Sequence, residues 1–400
     1  MKQGWEYKKL DDVALIKGRI GYRGYTKNDL VPAGEGAITL SPANITDYKI
    51  SYEKCQYISW FKYEESPEIM IYNGDIIYAK TASIGKVALV KDLPEKATIN
   101  PQFVVLKEIK CDNSYLYYVL RSNHFKQAIS LITNGVAIPT VSQSNMGNIL
   151  IPIPPIEEQK AICSLLDKMN CVIEAKKEQL KELDNLAQAI FYDMFGDPVE
   201  NEKGWKVKKL EDFCSTITKG TTPTTIGFQF ENQGISFVKV EAFTENDDID
   251  ISKISYISSD CNNVMSRSQL KEDDILICIA GATVGKLSKV NKTILPANTN
   301  QACAIIRLKD NQTILNTFLY GYLKHSYIKH VVDKLKKGVA QPNLSLSQVR
   351  GFDIIIPPLS LQQAFSEKVK SIEQQKELIN QSIKDVQTLF DAKMDYYFGE

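Results

Sequence analysis

The sequence predicts an α+β chain: two similar mixed α/β globular lobes separated by two long helices that pair as an antiparallel coiled coil, a pseudo-twofold internal repeat. Three observations lead there: a repeat covering nearly all 400 residues, two long stretches of helical periodicity, and short β-like runs punctuated by turn residues. The expected layout is a first lobe over 1–152, a central spacer helix over 153–196, a second lobe over 197–355 and a C-terminal spacer helix over 356–400.

The central helix follows Ile153-Pro154-Pro155-Ile156 and runs to Phe195-Gly196 without an intervening Gly or Pro. Alternating steps of four and three give Ile162, Leu166, Met169, Ile173, Lys176, Leu180, Leu183, Ala187, Ile190 and Met194, apolar at every place but Lys176. At 1.5 Å per residue such a helix spans roughly 60 Å, too long for an ordinary core helix. The pattern returns after Ile356-Pro357-Pro358-Leu359, with a seam of Phe365, Val369, Ile372, Lys376, Ile379, Ile383, Val386, Phe390, Lys393 and Tyr397. Two matching apolar stripes in one chain are best buried against each other. Lys176, Lys376 and Lys393 are expected to lay their stems along the edge of the seam with the ammonium in water. The other role open to them is to fix register.

Each lobe opens alike, Gly4-Trp5-Glu6-Tyr7-Lys8-Lys9-Leu10 against Gly204-Trp205-Lys206-Val207-Lys208-Lys209-Leu210. A buried strand, Asp75 to Ala79 against Asp274 to Cys278, leads into a small-residue turn, Ala82 to Lys86 against Ala282 to Lys286. Further β segments are expected over Pro101 to Leu106 and Gln301 to Leu308. A helix follows from Ser114 or Thr317 and should end at Gly135 or Gly338, where glycine supplies a left-handed cap and Pro139 or Pro342 stiffens the exit. Arg19 to Lys62 and Thr221 to Met265 share almost nothing, so one scaffold carries two dissimilar surfaces.

Composition places the chain among ordinary globular proteins, 44% hydrophobic and 24% charged. No apolar run is long enough for a bilayer, and the first residues lack a signal-peptide core, so a cytoplasmic location is expected. Eight scattered cysteines form no Cys-x-x-Cys and pair with none of the three histidines, which leaves them as buried thiols and leaves no metal site. Basic and acidic residues balance at 48 each, but unevenly along the chain: residues 1–30 carry seven Lys or Arg against four acids, and 203–221 five against two. Charge alone leaves two readings of these segments, a phosphate-binding face or solvated faces of no function.

The repeated Trp-x-x-x-x-Leu starts (Trp5, Leu10; Trp205, Leu210), the turns at Gly85-Lys86 and Gly285-Lys286, and the Gly-Val-Ala-x-Pro-x-x-Ser segments from Gly135 and Gly338 occur in this order around the two helices. With them stands the helix-opening motif Ile151, Pro152, Pro154, Pro155 and Gln159, repeated as Ile355, Pro357, Pro358 and Gln362 with Ile356 in place of the first proline. Over essentially its whole length the chain resembles the specificity subunit of type I restriction-modification enzymes. The resemblance implies two target recognition domains, each reading one half of a bipartite double-stranded DNA sequence, and a helix pair that fixes the spacer. It also implies two docked modification subunits that methylate adenine with S-adenosylmethionine held on those partners, with restriction subunits as further partners. In this chain the resemblance implies a non-catalytic role, with no cofactor and no metal.

Phosphate contacts position such a protein and base-edge contacts specify the sequence. In the first lobe the loop Lys17 to Asn28 interleaves cations, aromatics and glycines. Arg19 and Arg23 carry the fork that bonds guanine, Asn28 the amide that reads adenine, Tyr22 an aromatic face, and Lys17 and Lys27 suit phosphate. Lys219, Thr221, Thr222, Thr224 and Thr225 are the second lobe's counterpart, richer in hydroxyls. The turns add Lys80, Thr81, Ser83 and Lys86, and Thr283 and Lys286. A third surface comprises Asn134, Thr140, Ser142 and Gln143, and Lys336, Lys337, Gln341 and Asn343. Gly281 to Leu287 is one residue short of a P-loop and has Leu287 where a magnesium-binding hydroxyl belongs. Asn100-Pro101-Gln102-Phe103 lacks the second proline of an amino-methyltransferase loop. Two other functions stay open on sequence alone: a coiled-coil adaptor without DNA specificity, and a stand-alone DNA methyltransferase.

Overall fold

The computed structural model describes residues 4–133, 140–244, 248–310, 312–336 and 343–399, apart from the side chains of Tyr22, His325, Ser326, Leu335 and Lys336. The chain forms two compact units: residues 1–177 with 380–400, and residues 178–379. Each unit therefore holds one lobe together with about half of each long helix.

In the first unit, among the described residues, a four-stranded antiparallel sheet runs in the order Val87–Leu89, Ile76–Ala79, Phe103–Lys107, Leu15–Gly18. A second sheet runs Leu30–Val31, Gln56–Ser59, Gly36–Leu40, Ala97–Ile99, Met70–Ile71, with Gly36–Leu40 and Ala97–Ile99 parallel and its other pairings antiparallel. Strand Glu6–Lys9 pairs with Leu150–Ile153, so the start of the lobe is tied to the residues that lead into the central helix.

The second unit repeats the frame. Its four-stranded antiparallel sheet runs Cys214–Lys219, Cys303–Leu308, Ile275–Cys278, Leu287–Lys289, and Lys206–Lys209 pairs with Asp353–Ile356. The second sheet has three described strands, Ser255–Ile257, Ile235–Val238 and Ala297–Thr299, where the first unit has five. The two lobes thus diverge in the sheet built from the stretches whose sequences share almost nothing. Between Ile275–Cys278 and Leu287–Lys289 the chain makes a hairpin connection, which removes the P-loop reading on structural grounds as well. Gly85 and Gly285 sit in this turn at φ +93° and +92°, a left-handed backbone that explains the glycine in both copies.

The expected helix after Ser114 is broken. It spans Asn113–Arg121, and a second helix spans Asn123–Thr133, because Ser122 Oγ accepts the Phe125 N–H at 3.2 Å and starts a new helix. In the second lobe Asn316–Tyr322 passes through a wider turn at Leu323–Tyr327 into Ile328–Lys336. The predicted caps Gly135 and Gly338 lie outside the described residues.

Both long helices are continuous, Ile156–Phe195 and Leu359–Phe398. In the first unit the start of the first helix packs with the end of the second: Ile162 and Leu166 share a core with Phe390, Met394 and Phe398. In the second unit the end of the first helix packs with the start of the second through Phe191, Phe195 and Phe365. The pair is antiparallel, as expected. Ile162, Leu166, Ile173, Leu180, Phe365, Ile372 and Phe390 are buried, and Met169, Leu183, Ile190, Val369, Ile379, Ile383 and Val386 half-buried.

The heptad phase fails at the C-terminal ends. At the end of the first helix Phe191 and Phe195, not Ile190 and Met194, are fully buried, and at the end of the second Met394 and Phe398 are buried in place of Lys393 and Tyr397. A stride of four advances the buried stripe by about 40° per step, turning it from the partner helix toward the lobe. There Phe191 and Phe195 meet Phe318 of the lobe with centroids 5.9 and 4.8 Å apart, while Phe195 also keeps Phe365 of the partner helix at 5.3 Å. Each such ring contributes about 1.5–3 kcal/mol of burial. A methyl group built on Gly321 would stand 3.2 Å from the Phe365 ring. The first unit has Tyr118 and Ile162 at the two matching places, so volume moves from helix to lobe between the copies.

Of the cysteines, Cys163, Cys214, Cys261, Cys278 and Cys303 are buried, but Cys55 and Cys111 are half-buried and Cys171 is exposed, which corrects the expectation of uniformly buried thiols. Among the described residues no helix is long and apolar enough to cross a membrane.

Candidate nucleic-acid interface

In the first lobe the three nominated segments meet at the end of one sheet. Thr81 bridges Thr140 with their hydroxyls 3.2 Å apart, and the Val141 N–H donates to the Lys80 carbonyl at 2.9 Å. With its amide suitably turned, Gln143 donates to the Ile16 carbonyl at 3.2 Å and accepts from the Gly18 N–H at 3.3 Å. A methyl group on Gly18 would lie 2.8 Å from that amide and 3.4 Å from Lys80 Nζ, so glycine is what permits the close approach. A cleft of about 570 Å³ opens here, lined by Lys17, Gly18, Ile20, Glu68 and Gln143 among others.

The second lobe repeats the construction. Ala280 bridges Asn343, and the Leu344 N–H donates to the Ile279 carbonyl at 2.8 Å, the counterpart of the Val141 bond. A methyl group on Gly220 would collide with the Thr299 carbonyl. The hydroxyl of Thr222 bonds the Gln301 side chain, and that of Thr225 the Thr222 carbonyl at 2.7 Å.

The side chains divide into those that face outward and those already engaged. Lys27, Asn28, Thr140, Ser142, Lys219, Thr224, Thr225, Thr283 and Asn343 are exposed, and Lys17, Thr81, Ser83, Gln143, Thr221 and Thr222 half-buried. The Ser142 hydroxyl caps the helix Gln143–Gly147 by accepting from Asn145 N at 3.0 Å. Arg23 is half-buried and pairs with Glu68 at 3.4 Å. Lys80 is half-buried, and that burial pulls its ammonium below the ordinary lysine pKa. Asn134, Lys337 and Gln341 lie outside the described residues, as do the side chains of Tyr22 and Lys336.

Three nominated cations are engaged by the protein itself, although Lys86 remains exposed along its stem. Arg19, expected at a guanine, is 6% exposed. Its guanidinium donates to the Arg23 carbonyl at 3.3 Å, Ser66 Oγ at 3.4 Å and the Ile99 carbonyl at 3.5 Å, with its carbon 5.2 Å from the Tyr25 ring centre. Burial also pushes its pKa down. It staples the loop to the second sheet instead of reaching a base. Lys86 Nζ donates to the carbonyls of Pro42 and Ile45 at 2.8 and 3.0 Å, and Lys286 Nζ to that of Phe243 at 2.7 Å. Both lysines hold the variable insert onto the turn, a structural role repeated in the two lobes. Asn100 and Asn300 likewise bond Gln102 N and Ala302 N at 3.0 and 3.2 Å, shaping the turn before the strand.

Sequence reasoning assigned no role to Gln159 and Gln362. The Gln159 side chain, 3% exposed, accepts from Asp112 N and donates to the Pro154 carbonyl, both at 2.8 Å. Gln362, fully buried, accepts from Leu315 N at 2.9 Å and donates to the carbonyls of Thr313 and Pro357 at 3.0 and 2.9 Å. Each glutamine clamps the loop before a lobe helix onto the first turn of a long helix. Their recurrence at matching places was the available signal. Tyr118 adds a hydroxyl bond to Asp167 and accepts one from Asn170 at 2.9 Å.

Comparison with known proteins matches residues 2–185 and 202–388 to the type I restriction modification DNA specificity domain, once per lobe. The chain is similar to the type I restriction enzyme MjaIX specificity subunit of Methanocaldococcus jannaschii, 26% identical over 396 residues, spanning 92% of this chain and 86% of that protein. Among solved structures it resembles a chain from a study of complex assembly and conformational transition in a type I R-M system, with a TM-score of 0.57 at 20% identity over 98% of this chain and 97% of that one. It also resembles the crystal structure of the type I S subunit from M. genitalium, with a TM-score of 0.51 at 14% identity over 99% and 96% of the two chains. With a domain match in each lobe and the fold shared end to end, the chain belongs to the type I restriction-modification DNA specificity family.

Proposed function

We propose that this chain is the non-catalytic DNA-reading subunit of a type I restriction-modification complex, each lobe reading one half of a bipartite target and the helix pair setting the distance between halves. The observation that supports it is the bridge, repeated in both lobes, between the turn after the buried strand and the segment ahead of the long helix, joined in the first lobe by Gly18, on a common frame that carries unlike inserts. In the first lobe Lys17, Lys27 and Lys80 suit phosphate, and Arg23, Asn28, Thr140 and Gln143 suit base edges. In the second, Lys219 is the cation, and Thr221, Thr222, Thr224, Thr225, Thr283 and Asn343 offer hydroxyls and an amide, a surface suited to water-mediated or thymine-methyl readout. Adenine methylation belongs to two docked modification subunits that carry S-adenosylmethionine.

The test is a chimera. Replacing residues 221–265 with the corresponding insert of another specificity subunit, and sequencing methylated adenines made by the reconstituted complex, should change one half of the recognised motif only. A change in both halves, or methylation without sequence preference, would refute independent reading by the two lobes.

A further inference from the structure

Lys376 interrupts the apolar seam between Ile372 and Ile379, and it does not reach for water: the residue is 4% exposed. Its ammonium donates to Asp184 of the first long helix at 3.1 Å and to Glu373 of its own helix at 3.1 Å. Asp184 also pairs at 3.3 Å with Lys324, from the helical segment of the second lobe. One carboxylate therefore joins both long helices and a lobe. The expectation that Lys376 merely skirts the seam is corrected.

This cluster is not a by-product of duplication. At the offset relating the two helices, Ile173 stands where Lys376 does, and Gln387 matches Asp184. Ile173 is 5% exposed, so the first unit buries an apolar side chain at the same place in the seam. An apolar heptad seam by itself tolerates sliding, because Ile, Leu and Val at successive layers are nearly equivalent partners. The charges do not. One heptad in either direction, Lys376 would face Lys177 or Phe191, and Asp184 would face Val369 or Ile383. Each alternative leaves a charge in the seam without its partner, which is strongly disfavoured.

We infer that the Asp184–Lys376 pair, extended by Lys324, is a register lock on the helix pair and so a determinant of the spacer length the complex accepts. The inference rests on the proposed role of the helices in setting spacing. Asp184 is a positioning residue in this scheme and touches no DNA. A slip of one heptad moves one helix along the other by about 10 Å. At about 3.4 Å per base pair that corresponds to about three base pairs of spacer.

The experiment uses the full chain assembled with its modification subunit and a DNA library in which the native half-sites are separated by every spacer within several base pairs of the native length. The variant is Asp184→Leu/Lys376→Leu, an apolar replacement that keeps the seam filled. The native complex should methylate one spacer class. The double variant should keep it and methylate spacers displaced by about three base pairs at least tenfold above the native complex. Unchanged spacer discrimination in the double variant would overturn the lock. If that variant fails to fold, Asp184→Asn/Lys376→Gln, which keeps hydrogen bonding without charge, is read the same way. A complex lacking four residues of one long helix runs in parallel. If that deletion shifts the spacer while the charge-free variants do not, the lock alone is wrong. If the deletion shifts nothing, the reading of the helices as a spacer gauge is wrong as well.

Discussion

Replacing Gln362 with leucine should uncouple the second lobe from its helix more severely than Gln159→Leu does in the first. Gln362 is fully buried and satisfies three backbone groups: the Leu315 N–H and the carbonyls of Thr313 and Pro357. Gln159 satisfies two, the Asp112 N–H and the Pro154 carbonyl. A buried group left without its partner costs about 1–3 kcal/mol. Gln362→Leu should therefore cost about 3–9 kcal/mol and Gln159→Leu about 2–6. In bodies of this size each kcal/mol lowers the midpoint by about 2–4 °C, so calorimetry on the full chain separates the two variants. Hydrogen exchange adds a local readout, since the Leu315 amide should lose protection in the one and the Asp112 amide in the other. A smaller loss for Gln362→Leu than for Gln159→Leu, or a Leu315 amide that stays protected, would refute the clamp.

Burial holds the folded pKa of Lys80 below its ordinary value of 10.5, so the unfolded chain binds that proton more tightly. The residue then costs stability at neutral pH, and the cost falls as pH rises from the lowered folded pKa and is gone above the unfolded value. Lys80→Met should raise the melting temperature at pH 7, with the gain vanishing in alkali, while reducing the slope of log affinity against log salt by about one unit; a lower melting temperature or an unchanged slope would count against a phosphate-facing Lys80. Lys86→Met and Lys286→Met should do the reverse, losing about 1–2 kcal/mol in denaturant titrations and leaving the salt slope unaltered. Gly85→Ala and Gly285→Ala both force a side chain to positive φ, at about 1–2 kcal/mol. A methyl group on Gly285 would also stand 2.8 Å from Val332 and 3.0 Å from Ile328, whereas Gly85 has open space, so Gly285→Ala should melt lower by the equivalent of at least about 1 kcal/mol.

The duplicated frame, the continuous helices and their antiparallel pairing were legible because each is written as a period or a recurrence. Ile162, Leu166, Ile173 and Leu180 obey a heptad that one helix facing another imposes. The same rule misplaced the ends, where Phe191 and Phe398 answer to a lobe as well as to the partner helix. No pattern reveals which cations the protein itself engages. Arg19, Lys86 and Lys286 sit in loops that look solvated, and each is spent on carbonyls brought near by the fold. Asp184 was equally silent, one acid among many on a charged helix until Lys376 and Lys324 converge on it. The clamp residues Gln159 and Gln362 were visible as a recurrence without a role, since their partners in the lobes are backbone groups far off in sequence. The break at Ser122 shows a single hydroxyl overriding helical periodicity.

The most direct test of the central claim is to remove one helical turn, four residues, from each long helix and to map the adenines methylated by the reconstituted complex. The account predicts both half-sites unchanged and the accepted spacer altered by about two base pairs, the length of about 6 Å taken from the helices. An unaltered spacer, or altered half-sites, would contradict it.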